Sequence, residues 1–121
     1  MVITLKPYLE RQAEFLKALA HPSRLLLLEQ LAGGERCVCA LVADTELEQA
    51  NISQHLAVLR AQGIVEARRE GPRTIYRLKR PEIAAILAAV DAALAAQIAE
   101  ESAAMEAAAA RRKPIQGGIP G

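Results

Sequence analysis

The chain has 121 residues, with 15 Lys+Arg against 14 Asp+Glu and a net charge of +1, which points to one small domain and excludes a uniformly basic nucleic-acid coat. Aromatic residues are 2% of the total and tryptophan is absent, so no platform exists for stacking unpaired bases. Alanine supplies 25 of the apolar positions, and a core so rich in alanine is thin enough to predict an obligate oligomer that completes it with a partner.

Residues 4–20 place Leu5, Tyr8, Leu9, Phe15, Leu16 and Leu19 at helical spacing, with Gln12 as the one polar break. His21-Pro22 starts a second helix, because proline at the first helical position gives up an N–H that has no intrahelical acceptor. The spacing suits His21 as a cap or packed side chain better than as a metal ligand. Leu25, Leu26, Leu27, Leu28 and Leu31 make this helix apolar around much of its circumference, hence central, and Gly33-Gly34 ends it. A short helix is expected from about Arg36 to Ala43. The next, Gln49–Gln62, buries Ile52, Leu56 and Leu59 and stops at Gly63. Its other face carries Ala50, Gln54, Ala57 and Ala61, flanked by Asn51 and Ser53, and is small, polar and uncharged. A solvated helix face is usually rich in Lys and Glu, so this one suits close approach to another surface.

From Ile64 to Lys79 the period drops to two and predicts a β-hairpin turning at Gly71-Pro72. Between Arg60 and Arg80 seven basic residues face two acidic ones, whereas Pro81 to Ala110 holds five acidic residues and no basic one. Pro81 opens a last helix reaching about Arg112, with Ile83, Ile86, Leu87, Val90, Leu94, Ile98 and Met105 in one stripe among fifteen alanines. A stripe on a helix of roughly 45 Å needs a partner. Residues 113–121 read as a flexible tail after a domain spanning 1–112.

Helix, short helix, helix and hairpin in this order make a mainly α fold with a β-hairpin wing, a winged helix-turn-helix. The face of Gln49–Gln62 then enters a DNA major groove, where Gln49, Asn51, Ser53 and Gln54 reach base edges. His55, on the flank of that face, suits packing or a phosphate better than a base. Arg68, Arg69 and Arg73 on the wing neutralise phosphates or enter the minor groove. A winged-helix interaction module without DNA is the competing reading, which the basic wing disfavours. No phosphate loop, paired carboxylates or base beside a cysteine marks an enzyme, and no permanently bound cofactor is expected.

Two cysteines one residue apart, Cys37 and Cys39, form a local site and not a disulfide framework. Lys6, Glu10, Arg11, Glu14 and Lys17 interrupt the first 20 residues, unlike a secretory leader, and no apolar run approaches the ~18 residues of a membrane span. A cytoplasmic protein with reduced thiols and no membrane contact is expected.

Ala18-Leu19-Ala20-His21-Pro22-Ser23-Arg24-Leu25, Glu35-Arg36-Cys37-Val38-Cys39-Ala40-Leu41, Ile52-Ser53-Gln54-His55-Leu56, Leu59-Arg60-Ala61-Gln62-Gly63 and Arg73-Thr74-Ile75-Tyr76-Arg77-Leu78 resemble the ArsR/SmtB family of metalloregulatory repressors over roughly residues 13–80. The resemblance implies a homodimer, with α-helical dimerisation through the first and last helices, on a double-stranded DNA operator with an inverted repeat, released when an inducer binds. Cys-Val-Cys resembles the arsenic-sensing branch, whose box reads Glu-Leu-Cys-Val-Cys-Asp-Leu, often with a third cysteine three residues on. Here Arg36 and Ala40 replace its Leu and Asp, and Val42 stands at the third position.

That resemblance implies As(III) or Sb(III) as inducer, held by Cys37 and Cys39 as soft thiolates, with a third ligand from solvent or a small thiol or else with lower affinity. Thiol-based redox or persulfide sensing, a site for cadmium, lead or zinc, and plain packing of the two side chains remain open. On a regular helix residues i and i+2 point about 200° apart, so convergence of the two thiols, and any disulfide between them, is expected to require local unwinding that moves the reading helix. Arg36 beside Cys37 should favour the thiolate.

Overall fold

In the computed structural model, which describes residues 2–112, the chain runs α1 (Val2–Leu19), α2 (Pro22–Ala32), β1 (Arg36–Cys37), α3 (Val38–Thr45), α4 (Gln49–Ala61), β2 (Val65–Glu70), β3 (Arg73–Leu78) and α5 (Pro81–Arg111). This is the winged helix-turn-helix expected. The tail assigned to 113–121 lies outside the described residues.

Local chemistry sets most of the boundaries. His21 is extended and caps α2, its Nδ1 accepting the Ser23 N–H at 3.1 Å, with Pro22 in the first turn. Thr45 joins α3 to the turn before α4, donating from its hydroxyl to the Leu41 carbonyl at 2.6 Å and accepting the Leu47 N–H at 3.3 Å. Gly63 follows α4 at φ +70°, while the N–H groups of Gly63 and Ile64 return to the carbonyls of Arg60 and Leu59. This left-handed cap needs a residue without a Cβ and turns the chain into the hairpin.

The three strands lie in the order β1-β3-β2, antiparallel throughout. β2 and β3 pair from Val65↔Leu78 to Glu70↔Arg73, closed by a two-residue turn with Gly71 at φ +64°. The third strand, β1, is only two residues long and pairs Arg36↔Tyr76 and Cys37↔Ile75.

The chain divides into two units, one ending at Ala85 and the other starting at Ile86. The first holds the core: Leu27, Leu28, Leu41, Ile52, Leu56, Leu59 and Ile64 are fully buried, and Leu31, Val65 and Ile83 nearly so. Burying each such side chain contributes about 1.5–3 kcal/mol. In the second, every described residue from Ala88 onward is exposed.

Two expectations are corrected. The short helix expected from about Arg36 to Ala43 is present but runs Val38–Thr45, and a strand takes Arg36 and Cys37, because the edge of β3 offers backbone partners to this segment. And α5 is long and apolar enough to cross a membrane by length and composition, against the expectation that no apolar stretch reaches that length. Fifteen of its 31 residues are alanine, which is apolar but small.

Candidate nucleic-acid interface and its thiol pair

On α4, Ile52, Leu56 and Leu59 are buried while Gln49, Ala50, Asn51, Ser53, Gln54, Ala57 and Ala61 are exposed. The uncharged face read from the sequence is thus the outward one. His55 is half-buried and turned toward α2. Its ring lies 4.5 Å from that of His21, centroid to centroid, and its Nδ1 is 3.4 Å from Arg24 Nη1. An arginine is always a donor, so His55 Nδ1 accepts here. Arg24 also donates to the Ala18 carbonyl at 2.6 Å and to that of Lys17 at 3.3 Å, tying the end of α1 to α2 and α4. Burial pushes the His55 imidazole below its ordinary value, with His21 and Arg24 adding to the shift. Of the two roles the sequence leaves His55, the geometry brings out packing.

The wing arginines differ in their engagements. Arg68 donates to Glu35 at 2.6 Å and to Glu70 at 2.9 Å, and the hydrogen bond from Arg68 holds the Glu35 carboxyl below its ordinary value. Arg77 is paired with Glu66. Arg69 and Arg73 make no ion pair among the described residues and are exposed, so they are the wing cations unencumbered for a phosphate.

Cys37 is the N-cap of α3, extended at φ −77°, ψ 160°, with its Sγ accepting the Ala40 N–H at 3.1 Å. Cys39 lies in the first helical turn. Their Cα atoms are 5.3 Å apart and their sulfurs are joined in a disulfide, where reduced thiols were expected. The 200° argument fails because only Cys39 is helical, so the sulfurs converge with no unwinding. Cys37 is also the residue at which the sheet gives way to α3.

The pair lines a cleft of about 360 Å³ together with Gln49 and Ser53 of α4 and Pro72, Arg73, Thr74 and Tyr76 of the wing. Cys37, Cys39, Gln49, Ser53 and Arg73, singled out separately in the sequence, meet here, whereas Asn51, Gln54, His55, Arg68 and Arg69 lie outside the cleft lining. Thr74 and Tyr76 were not singled out, although strand alternation places them on one face of β3. Once reduced, the pair offers two soft ligands. No group of three or more Cys, His, Asp or Glu side chains able to hold a metal ion occurs among the described residues, so a trivalent metalloid fits only with a third ligand from outside the chain.

A family model described as a bacterial regulatory protein of the arsR family matches residues 21–67. An HTH-type transcriptional regulator of Mycobacterium tuberculosis is 42% identical over 102 residues, covering 84% of this chain and 90% of its own. Its crystal structure matches 79% of this chain and 97% of that one, with a TM-score of 0.74. The biofilm growth-associated repressor of Agrobacterium fabrum is 42% identical over 88 residues, 69% of this chain and 75% of its own. A homodimeric winged helix-turn-helix DNA-binding domain from Mycobacterium bovis, solved in solution, is 36% identical with a TM-score of 0.71, over 77% of this chain and 86% of that one. These relatives are transcriptional regulators, not enzymes.

Proposed function

Because this chain belongs to the ArsR family of bacterial HTH-type transcriptional regulators, we propose that it is a homodimeric, cytoplasmic DNA-binding repressor whose hold on a palindromic operator is controlled by chemistry at Cys37 and Cys39. Gln49, Asn51, Ser53 and Gln54 read base edges, with Arg69 and Arg73 on phosphates. The observation that carries this reading is the position of Cys37. It pairs with Ile75 of the wing on one side and caps α3 on the other, and it lines one cleft with Gln49 and Ser53 of the reading helix. A change in what the two sulfurs hold therefore acts where both DNA-reading elements meet. An effector can release DNA only if the free and bound states hold it with different affinity, and this placement supplies such a difference.

Trivalent arsenic or antimony is the effector we assign first, since paired thiolates prefer soft metalloids to hard cations. Disulfide formation by an oxidant, or bridging by a persulfide, is the second reading, favoured by the convergence of the two sulfurs.

Fluorescence anisotropy of the reduced protein on labelled duplex tests both. Arsenite should strip the wild type from DNA at concentrations where Cys37→Ser and Cys39→Ser stay bound. Release by peroxide or persulfide, with none by arsenite, would transfer the assignment to the redox reading. Release of both serine variants by arsenite would place the sensor elsewhere.

A further inference from the structure

We infer that the cleft between the thiol pair, α4 and the wing is the seat of one DNA backbone phosphate, so that whatever the thiol pair binds competes with DNA for the same space. This rests on the DNA-binding reading above and adds how release works. Its volume of about 360 Å³ exceeds that of a phosphodiester group. Its walls carry one cation, Arg73, with no carboxylate among the lining side chains. Arg73 forms no ion pair among the described residues, and the side chains of Gln49, Ser53 and Thr74 make no hydrogen bond there. A cation flanked by uncommitted hydroxyls and an amide suits an anionic oxygen, so Gln49 and Ser53 pass from the base edges to the phosphate here, and Asn51 and Gln54, outside the cleft, are left to read the bases.

The neighbouring hollow on the hairpin, lined by Glu66, Ala67, Arg68, Ile75 and Arg77, makes the contrast. There both arginines are already satisfied by carboxylates, and a phosphate would meet acidic oxygens.

The third wall of the seat is sulfur, half-buried at Cys37 and exposed at Cys39. As protonated thiols or as a disulfide it is neutral and leaves the seat open, so the seat accounts for release by a bound metalloid or persulfide and not for release by disulfide formation alone. As thiolates, or carrying an adduct, it sets negative charge or bulk against the phosphate. Release then needs no change in fold, because effector and DNA exclude each other directly.

The test uses full-length Cys37→Ser protein, in which serine can keep the cap of α3. Iodoacetate places a charged carboxymethyl group on Cys39, and iodoacetamide places a neutral group of nearly the same size. On random duplex at low salt the charged adduct should bind about tenfold more weakly than the neutral one, with a salt slope smaller by about one. Coincident melting curves would show that both adducts are equally folded. Equal affinities and slopes for the two adducts would overturn the seat. An unmodified variant that binds no duplex at all would overturn the DNA-binding reading and the seat with it. Thr74→Val in the otherwise unaltered chain gives an independent check. It should weaken binding to every duplex several-fold, with sequence discrimination unchanged, and unaltered affinity would count against the seat. Inorganic phosphate should compete no better than chloride at equal ionic strength, and selective inhibition by it would reassign the cleft to a free anion. In the wild type, the apparent Kd for DNA should climb with arsenite without levelling off, since competition permits no ternary complex. A plateau, the mark of finite coupling between separate sites, would refute competition.

Discussion

Residues up to Ala85 and the helix from Ile86 onward are built from similar aliphatic side chains and use them in opposite ways. In the first, leucines and isoleucines from α1, α2, α3, α4 and the start of α5 close on one another and on Val65 of β2, and twelve apolar residues from Ala18 to Ile83 are buried. In the second, Val90, Leu94, Ile98 and Met105 are between 49% and 73% exposed within one chain. Alanine between them keeps the segment helical at little entropic cost but supplies almost no core. The first region holds the buried core. The second leaves its stripe exposed within one chain, and in the first region Leu5, Tyr8, Leu9 and Leu16 of α1 are likewise at least half exposed.

That contrast can be broken most severely in the core. Leu28→Ala or Leu56→Ala should cost about 2–5 kcal/mol in denaturant unfolding. Leu94→Ala measured the same way on dilute, dissociated protein should cost well under half as much, and equal losses would erase the distinction. Next, Leu94→Glu combined with Ile98→Glu should leave the helix signal of the first region intact and shift the sedimenting species from dimer to monomer. A dimer that survives both charges would place the interface elsewhere.

Smaller effects sharpen the division inside the first region. Gln54→Ala should reduce discrimination between operator and random duplex by roughly 1–3 kcal/mol if its contact is bidentate. Arg73→Ala should weaken both alike and lower the salt slope by about one. Arg68→Ala should lower it less, because Glu35 and Glu70 already hold that guanidinium. The smallest effect concerns pH. His55 is held below its ordinary value of 6.5, so as pH falls the unfolded chain takes up this proton first. The stability it contributes is present above about pH 6.5 and is lost as pH falls through the depressed value. His55→Gln should flatten the stability profile between about pH 7 and about pH 5 relative to wild type. A parallel profile would mean that His55 titrates normally.

What the sequence reveals follows how local each signal is. The reading helix is legible from its small uncharged face and Gly63, and the hairpin from period-two alternation about Gly71-Pro72, because those patterns lie within a few residues of what they specify. The fold class follows from the order of such elements. The thiol segment is different. Cys37 is extended because β1 pairs with β3, a partner far along the chain, and neither helix propensity nor the Cys-Val-Cys spacing carries that information. The ion pair from Arg68 back to Glu35 and the packing of His55 against His21 are non-local in the same way. The cysteines were therefore identifiable as a site, while the cleft that gives them a neighbour in Arg73 and Thr74 was not.

The central claim is that the thiol pair lies in the DNA interface itself. It is tested most directly by the rate at which iodoacetamide alkylates Cys39 in reduced wild-type protein, with and without saturating duplex. Cys39 is exposed in the free chain, so the account predicts rapid alkylation alone and at least tenfold slower alkylation on DNA, where a backbone phosphate closes the cleft. Equal rates on and off DNA would show that the thiols lie outside the interface, and would contradict it.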